Sequence, residues 1–211
     1  MTTWNVKNAS LVSRSNPLYL SYCREKTALK NSNPRERVPD PRYVVTNWAE
    51  KTVNRYLGRF YEYDDRSILS WSELDSRNTY RRKYKELDGI FISQPGSLYV
   101  ETKGSFSKSS LKKGMLQVNE NLKLLSIINP RFAGLLVLCD CHLIDPELGV
   151  MAEELKNQTI ASKEYLIYQG LSQLPKILPG TKSIWLLAED AVHELVNIFG
   201  SPLDDPNTLE C

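Results

Sequence analysis

The sequence predicts an α/β protein with a central mixed β-sheet flanked by helices. Three observations predict it. Residues 87–103 read as a hairpin: an apolar, β-branched run through Ile92, a Gln94-Pro95-Gly96-Ser97 turn, and a second run from Leu98 to Lys103. Leu111, Met115, Val118, Leu122 and Leu125 then fall on one face of a helix. Phe132–Cys139 follows as an apolar run interrupted only by Gly134, as expected of a strand buried on both faces.

The remaining elements follow in chain order. The first forty residues are polar, but Asn16-Pro17 can start a helix over 17–30, with proline at the first helical position. Residues 31–39 hold two prolines and read as a linker. Asp40 as N-cap and Pro41 at the next position start a stronger helix. Val45, Trp48, Ala49, Thr52, Val53 and Tyr56 recur at helical spacing in it, and Gly58 is its expected stop. Glu50 sits at the edge of that apolar face. Residues 67–71 are a strand candidate, and 77–85 are basic and irregular. After the hairpin and the long helix, Asn129-Pro130 ends the helix. Beyond Asp140 the expectation is a helix over 146–156, a helical or strand-like piece over 165–174, a strand over 183–187 and a helix over 189–199. The core order is helix, strand, strand, strand, helix, strand, with additions at both ends. The division expected is an N-terminal extension over 1–39, a core over 40–140, and a C-terminal elaboration of the same domain over 141–211.

The chain has 211 residues, 41% hydrophobic and 25% charged, which is ordinary globular composition. No apolar run approaches the roughly 20 residues of a membrane helix. No apolar h-region opens the chain, so an intracellular, cytoplasmic protein without membrane contact is expected. Cys23, Cys139, Cys141 and Cys211 are too few and too scattered for a disulfide scaffold. Net charge is only +2, but residues 1–139 hold 23 Lys+Arg against 13 Asp+Glu, and residues 140–211 hold 4 against 12. That asymmetry points the first two thirds of the chain toward a polyanion.

The hairpin carries the chemistry. Asp88 opens one strand, and Glu101-Thr102-Lys103 ends the other. Adjacent antiparallel strands bring such ends together, and alternation puts Glu101 and Lys103 on one side. Two carboxylates at one spot repel and call for a cation, and carboxylate oxygens suit a hard ion such as Mg²⁺. A lysine beside them can act on a water or neutralise developing phosphate charge.

The set Glu50, Asp88, Glu101-Thr102-Lys103 and Gln117 resembles the PD-(D/E)XK nuclease superfamily, which includes restriction endonucleases and archaeal Holliday-junction resolvases. The likeness covers about residues 40–140. Asn47-Trp48-Ala49-Glu50 and Tyr56-Leu57-Gly58 look most like the resolvase-type first helix. Leu87 stands where the family's name puts proline. The resemblance implies a restriction-endonuclease-like core, with Asp88 and Glu101 as metal ligands and the Thr102 carbonyl completing the inner shell. It implies that Lys103 acts on the attacking water, that Glu50 is an additional carboxylate for a second ion, and that Gln117 contacts the water network or the scissile strand. Glu62, Asp64 and Glu73 are alternatives to Glu50.

The implied activity is Mg²⁺-dependent hydrolysis of DNA phosphodiesters, with Mn²⁺ as substitute and no small-molecule cofactor. Cleavage of branched, Holliday-junction-like DNA by a homodimer leads. A sequence-reading restriction or defence endonuclease, and an inactive nuclease-fold protein that binds nucleic acid, are the alternatives. Two basic clusters are candidate phosphate contacts. One is Arg77, Arg81, Arg82, Lys83 and Lys85, with Tyr80 and Tyr84 interleaved. The other is Lys108, Lys112 and Lys113 at the start of the long helix. Cys139-Asp140-Cys141-His142 lacks a second Cys/His pair, so zinc is not expected, and His193 reads as a packed or surface residue.

Overall fold

The computed structural model describes residues 5–31, 41–141 and 164–201. The expected 146–156 helix, the 31–39 linker beyond Asn31, the Asp40 cap and His142 lie outside them. Among the described residues, no helix is long and apolar enough to cross a membrane.

The main sheet has six strands. In chain order these are β2 (Glu62–Tyr63), β5 (Gly89–Ser93), β6 (Gly96–Lys103), β7 (Phe132–Cys139), β8 (Leu166–Gln169) and β9 (Lys182–Leu187). They lie side by side in the order β2-β5-β6-β7-β9-β8. The β2/β5 and β5/β6 pairs are antiparallel, and β6/β7, β7/β9 and β8/β9 are parallel, so the sheet is mixed. A second, antiparallel sheet of three strands has the order β1-β3-β4. Its members are β1 (Val6–Val12), β3 (Ile68–Leu74) and β4 (Tyr80–Glu86). The helices are α1 (Pro17–Asn31), α2 (Pro41–Leu57), α3 (Lys108–Ile128) and α4 (Glu189–Phe199).

The core has two layers, one on each face of the main sheet. On one face, Val45, Trp48, Ala49, Val53 and Leu57 of α2 and Ala191, Val192 and Leu195 of α4 pack on Leu98, Val100, Leu135 and Val137. On the other, Leu111, Val118, Leu124 and Leu125 of α3 pack on Tyr99, Leu136 and Leu138, joined by Leu69 of the small sheet. Strand alternation produces this division. Even-numbered side chains of β6 enter the α2 layer, and Tyr99 enters the α3 layer.

The hairpin, the long helix and the buried strand stand where the sequence puts them. All eight residues of β7 are buried. Ser107 caps α3, its hydroxyl accepting the Ser110 N–H at 3.1 Å, and Asn129 closes the helix. Three expectations are corrected. The basic stretch over 77–85 is not irregular. Asp75 accepts the Arg77 and Thr79 N–H groups in a tight turn, and β4 runs on from it. The candidate strand over 67–71 belongs to the small sheet, and the first main-sheet strand after α2 is β2. The main sheet does run helix, strand, strand, strand, helix, strand (α2, β2, β5, β6, α3, β7), but its first strand is the short β2, which the sequence reading did not pick out. The polar N-terminus supplies a strand as well as a helix. β1 pairs with β3, and Tyr19 and Tyr22 of α1 pack against Tyr84 of β4.

Glycine sets the closeness of α3 to the sheet. A Cβ on Gly114 would stand 2.3 Å from Leu136 Cδ1, and one on Gly134 would stand 2.5 Å from Leu122 Cδ1. Val118 and Leu136 are fully buried there, so neither side can retreat. Gly114→Val should therefore lower the thermal midpoint by about 2–12 °C, from an overpacking cost of roughly 1–3 kcal/mol at about 2–4 °C per kcal/mol. Melting followed by circular dichroism checks this, and an unchanged midpoint would mean that α3 is not seated so tightly.

Candidate active site

The hairpin delivers its acidic residues to one end of the main sheet. β5 and β6 pair Gly89 with Val100, so the register continues to set Asp88 opposite Glu101. The Thr102 N–H donates to Asp88 Oδ2 at 2.7 Å, which ties the aspartate to the neighbouring strand. Asn54 of α2 donates from Nδ2 to the Asp88 carbonyl at 2.6 Å, fixing the backbone from the opposite layer. Lys103 Nζ donates to Glu101 Oε1 at 2.5 Å. The other Glu101 oxygen accepts the Tyr99 hydroxyl, and Asn121 Nδ2 of α3 donates to that hydroxyl oxygen at 2.5 Å. Glu101 is 3% exposed, so these donors replace nearly all of its water.

Electrostatics follow from the burial. Asp88 is pushed up to about 7, first by withdrawal from water and then by the negative charges of Glu101 and Glu50. The Thr102 N–H and the Lys103 ammonium oppose that rise without cancelling it. Glu50 is also raised by burial, with Lys103 pulling it down and Glu101 pushing it up. Tyr99 is pushed well above its ordinary range by burial and by Glu101, so it stays a donor.

Asp88, Glu101, Thr102 and Lys103 are thus brought together, with Glu50 inside their field. Among the described residues, however, no three His, Cys, Asp or Glu side chains close into one metal-ligating group. Glu50 belongs to the α2 layer, whereas Glu101 shares the face of Tyr99 in the α3 layer. Even so, Glu50 lines the same cleft as Asp88 and feels the charges of both Glu101 and Lys103, where the resemblance would have it serve a second ion directly or through water. The Asp88 and Glu101 carboxylates and the Thr102 carbonyl are all hard oxygen donors. The Asn54 Oδ1 and Thr102 Oγ1 atoms beside Asp88 are buried oxygens without a partner among the described residues. Such a donor set, under mutual repulsion, fits a hard divalent cation.

Gln117 is partly buried on α3, and it is Asn121, one turn further on, that reaches the Tyr99–Glu101 pair. Of the alternatives to Glu50, Asp64 is taken by Arg66 at 2.7 Å, which holds its carboxyl below the usual range. Glu73 pairs with Lys83, and Glu62 is exposed on β2. In the basic stretch, Arg81 pairs with Asp75 at 2.7 Å and Lys83 with Glu73. Arg77 and Arg82 are exposed, Lys85 is half-buried, and all of these except Arg77 lie on β4 of the small sheet. Lys108, Lys112 and Lys113 are exposed on the first turns of α3. Cys139 and Cys141 are buried, and His193 lies 3.7 Å from Glu189 on α4.

Sequence reasoning passed over Tyr99, Asn121 and Asn54. Each carried a spacing signal: Tyr99 is two residues before Glu101 on one strand face, Asn54 is four after Glu50, and Asn121 is four after Gln117.

The raised Asp88 carboxyl has a measurable consequence. The folded state holds its proton more tightly than the unfolded chain does. Its contribution to stability is therefore complete below about pH 4 and is lost as pH rises to about 7. Asp88→Asn should flatten this part of the pH–stability curve and stabilise the protein above pH 7 by up to a few kcal/mol. Denaturant titrations at pH 4, 6 and 8 without divalent ions check it. Parallel curves for the two proteins would show that Asp88 is not under this pressure.

The chain matches no protein-family model, no curated protein and no solved structure.

Proposed function

We propose that this chain is a divalent-metal-dependent DNA nuclease with a restriction-endonuclease-like core. The observation that carries the reading is the convergence of Asp88, Glu101 and Lys103 at the open end of the β5–β6 hairpin. An aspartate raised by burial and then by a second carboxylate, with a lysine beside them, is costly to fold and useful to phosphoryl chemistry.

In this reading Asp88, Glu101 and the Thr102 carbonyl hold Mg²⁺ or Mn²⁺. When bound, the ion supplies Lewis-acid polarisation of the phosphoryl oxygen and lowers the pKa of water. The chain's own residues do the rest. Tyr99 and Asn121 keep Glu101 from turning away. Asn54 and the Thr102 N–H do the same for Asp88. Lys103, held by Glu101 beside the site, would orient the attacking water through its Nζ and offset the charge growing on phosphorus. Glu50 accepts hydrogen bonds from waters at the cleft side of the site. The oxygen of water bonds to phosphorus as one of its protons passes to solvent, the bond to the 3′-oxygen breaks and that oxygen takes a proton from solvent, and no covalent enzyme intermediate forms. Branched DNA and a homodimer complete the reading as the resemblance implies them.

The test is incubation of the pure protein with linear duplex, single-stranded and four-way-junction DNA in Mg²⁺, Mn²⁺ or EDTA. Cleavage in Mg²⁺ or Mn²⁺ that stops in EDTA and disappears in Asp88→Asn and Glu101→Gln is expected. Lys103→Ala should lose at least about a hundredfold in rate while still binding DNA, because its work lies in the transition state. Full activity in either carboxylate variant would overturn the assignment. Mg²⁺ should also raise the melting temperature of the wild type and not that of Asp88→Asn, which reports the ion without any cleavage.

A further inference from the structure

We propose that the cleft beside the carboxylates is the path of an unpaired DNA strand, with Lys51 and Arg55 on its phosphates and Tyr63 stacked on one of its bases. This rests on the nuclease reading for the chemistry at its end and adds the form of strand that can reach it.

The cleft has a volume of about 600 Å³, and Glu50, Lys51, Asn54, Arg55, Tyr63 and Asp88 are among its lining residues. The α2 residues are two pairs spaced i, i+4. They present one polar stripe while Val45, Trp48, Ala49 and Val53 carry the opposite side of the helix into the core. The stripe is ordered. Glu50 and Asp88 lie at the reacting end. Lys51 and Arg55 follow one turn apart, about 6 Å along the helix axis, a spacing that suits successive phosphates. Both are exposed, and among the described residues neither has an ion-pair partner. The denser basic stretch on β4 differs in this, since Arg81 and Lys83 are held by Asp75 and Glu73.

Tyr63 decides between paired and unpaired DNA. Its ring meets the buried Phe91 edge-on, with centroids 5.5 Å apart and planes at 74°, and 47% of the residue remains exposed. The ring is therefore braced from behind and open in front. It pairs in register with Phe91, three residues along β5 from Asp88, which places it about 10 Å from the reacting end. That is within reach of a neighbouring nucleotide. A base inside a duplex already has both faces stacked, so an open aromatic ring at this point can take only a base that has left the stack.

The experiment is fluorescence anisotropy with the full chain in EDTA, using a 12-nucleotide oligodeoxythymidylate and a 12-base-pair duplex across a salt series. The single strand should bind at least about tenfold more tightly than the duplex. Tyr63→Ala and Tyr63→Leu should each weaken single-strand binding by roughly tenfold, and Tyr63→Phe should keep it. Leucine preserves apolar contact with Phe91, so a loss there is not a folding defect. Lys51→Ala with Arg55→Ala should flatten the salt slope by about 1.4, near 0.7 per phosphate on a single strand. Equal binding of the two DNAs, an unaffected Tyr63→Leu variant, or a slope that responds to Arg81, Arg82 and Lys83 instead would each overturn the proposal. Because nothing is cleaved in EDTA, this failure is separable from failure of the nuclease reading. Cleavage without single-strand preference sinks only the strand path, and strand binding without cleavage in Mg²⁺ sinks only the nuclease.

Discussion

Asp88 and Glu101 face each other across the register of two buried strands, and both are largely withdrawn from water. Two negative charges in such a place are tolerable only if donors and a cation surround them. Those groups come from every side: the Thr102 N–H and Lys103 from the same hairpin, Tyr99 from the inner face of β6, Asn121 from α3 and Asn54 from α2. Each donor is in place only because its element is packed. α3 is drawn close to the sheet by Gly114 and Gly134, and that closeness brings Asn121 within reach of Tyr99. The carboxylate pair thus makes demands on both core layers at once, although neither carboxylate is itself a source of cohesion.

The elements with a regular apolar pattern were legible in the sequence because their surroundings are uniform. β7 is buried on both faces and reads as a continuous apolar run. α3 is buried on one stripe and reads with period 3.6. β4, with the sequence YRRKYKE, is the edge of a small sheet, and none of its residues is fully buried. It has no apolar face to announce it, and its strand character comes from pairing with β3. β1 is hidden for the same reason: it is an edge strand whose partner lies some sixty residues away in the chain. Residues 67–71 did show their local conformation, but not which sheet they would join, because pairing is a long-range choice.

The candidate site divides in the same way. Charged residues on a short hairpin stand out, since Glu101 and Lys103 alternate visibly and Asp88 sits at the matching end. Tyr99, Asn54 and Asn121 do not stand out, because a neutral hydrogen-bonding side chain has no pattern until its partner is known. Charge density along the chain differs from charge left unpaired in space. The crowded cations of β4 lie opposite Glu73 and beside Asp75, so part of that stretch is spent on its own sheet. Lys51 and Arg55, sparse in sequence, share one wall of a cleft.

The pairing of β1 with β3 reaches beyond the site. Val6–Val12 covers one edge of Ile68–Leu74, and Tyr19 and Tyr22 from the following helix reach across to Tyr84. A shortened chain beginning near residue 40 would keep every acidic residue of the site, yet it would leave β3 with a row of open N–H and C=O groups beside Leu69 and Trp71. Such an edge is a template on which a strand from another molecule can add. The N-terminal segment therefore closes one edge of the small sheet to such addition, a role separate from the chemistry of the acidic residues.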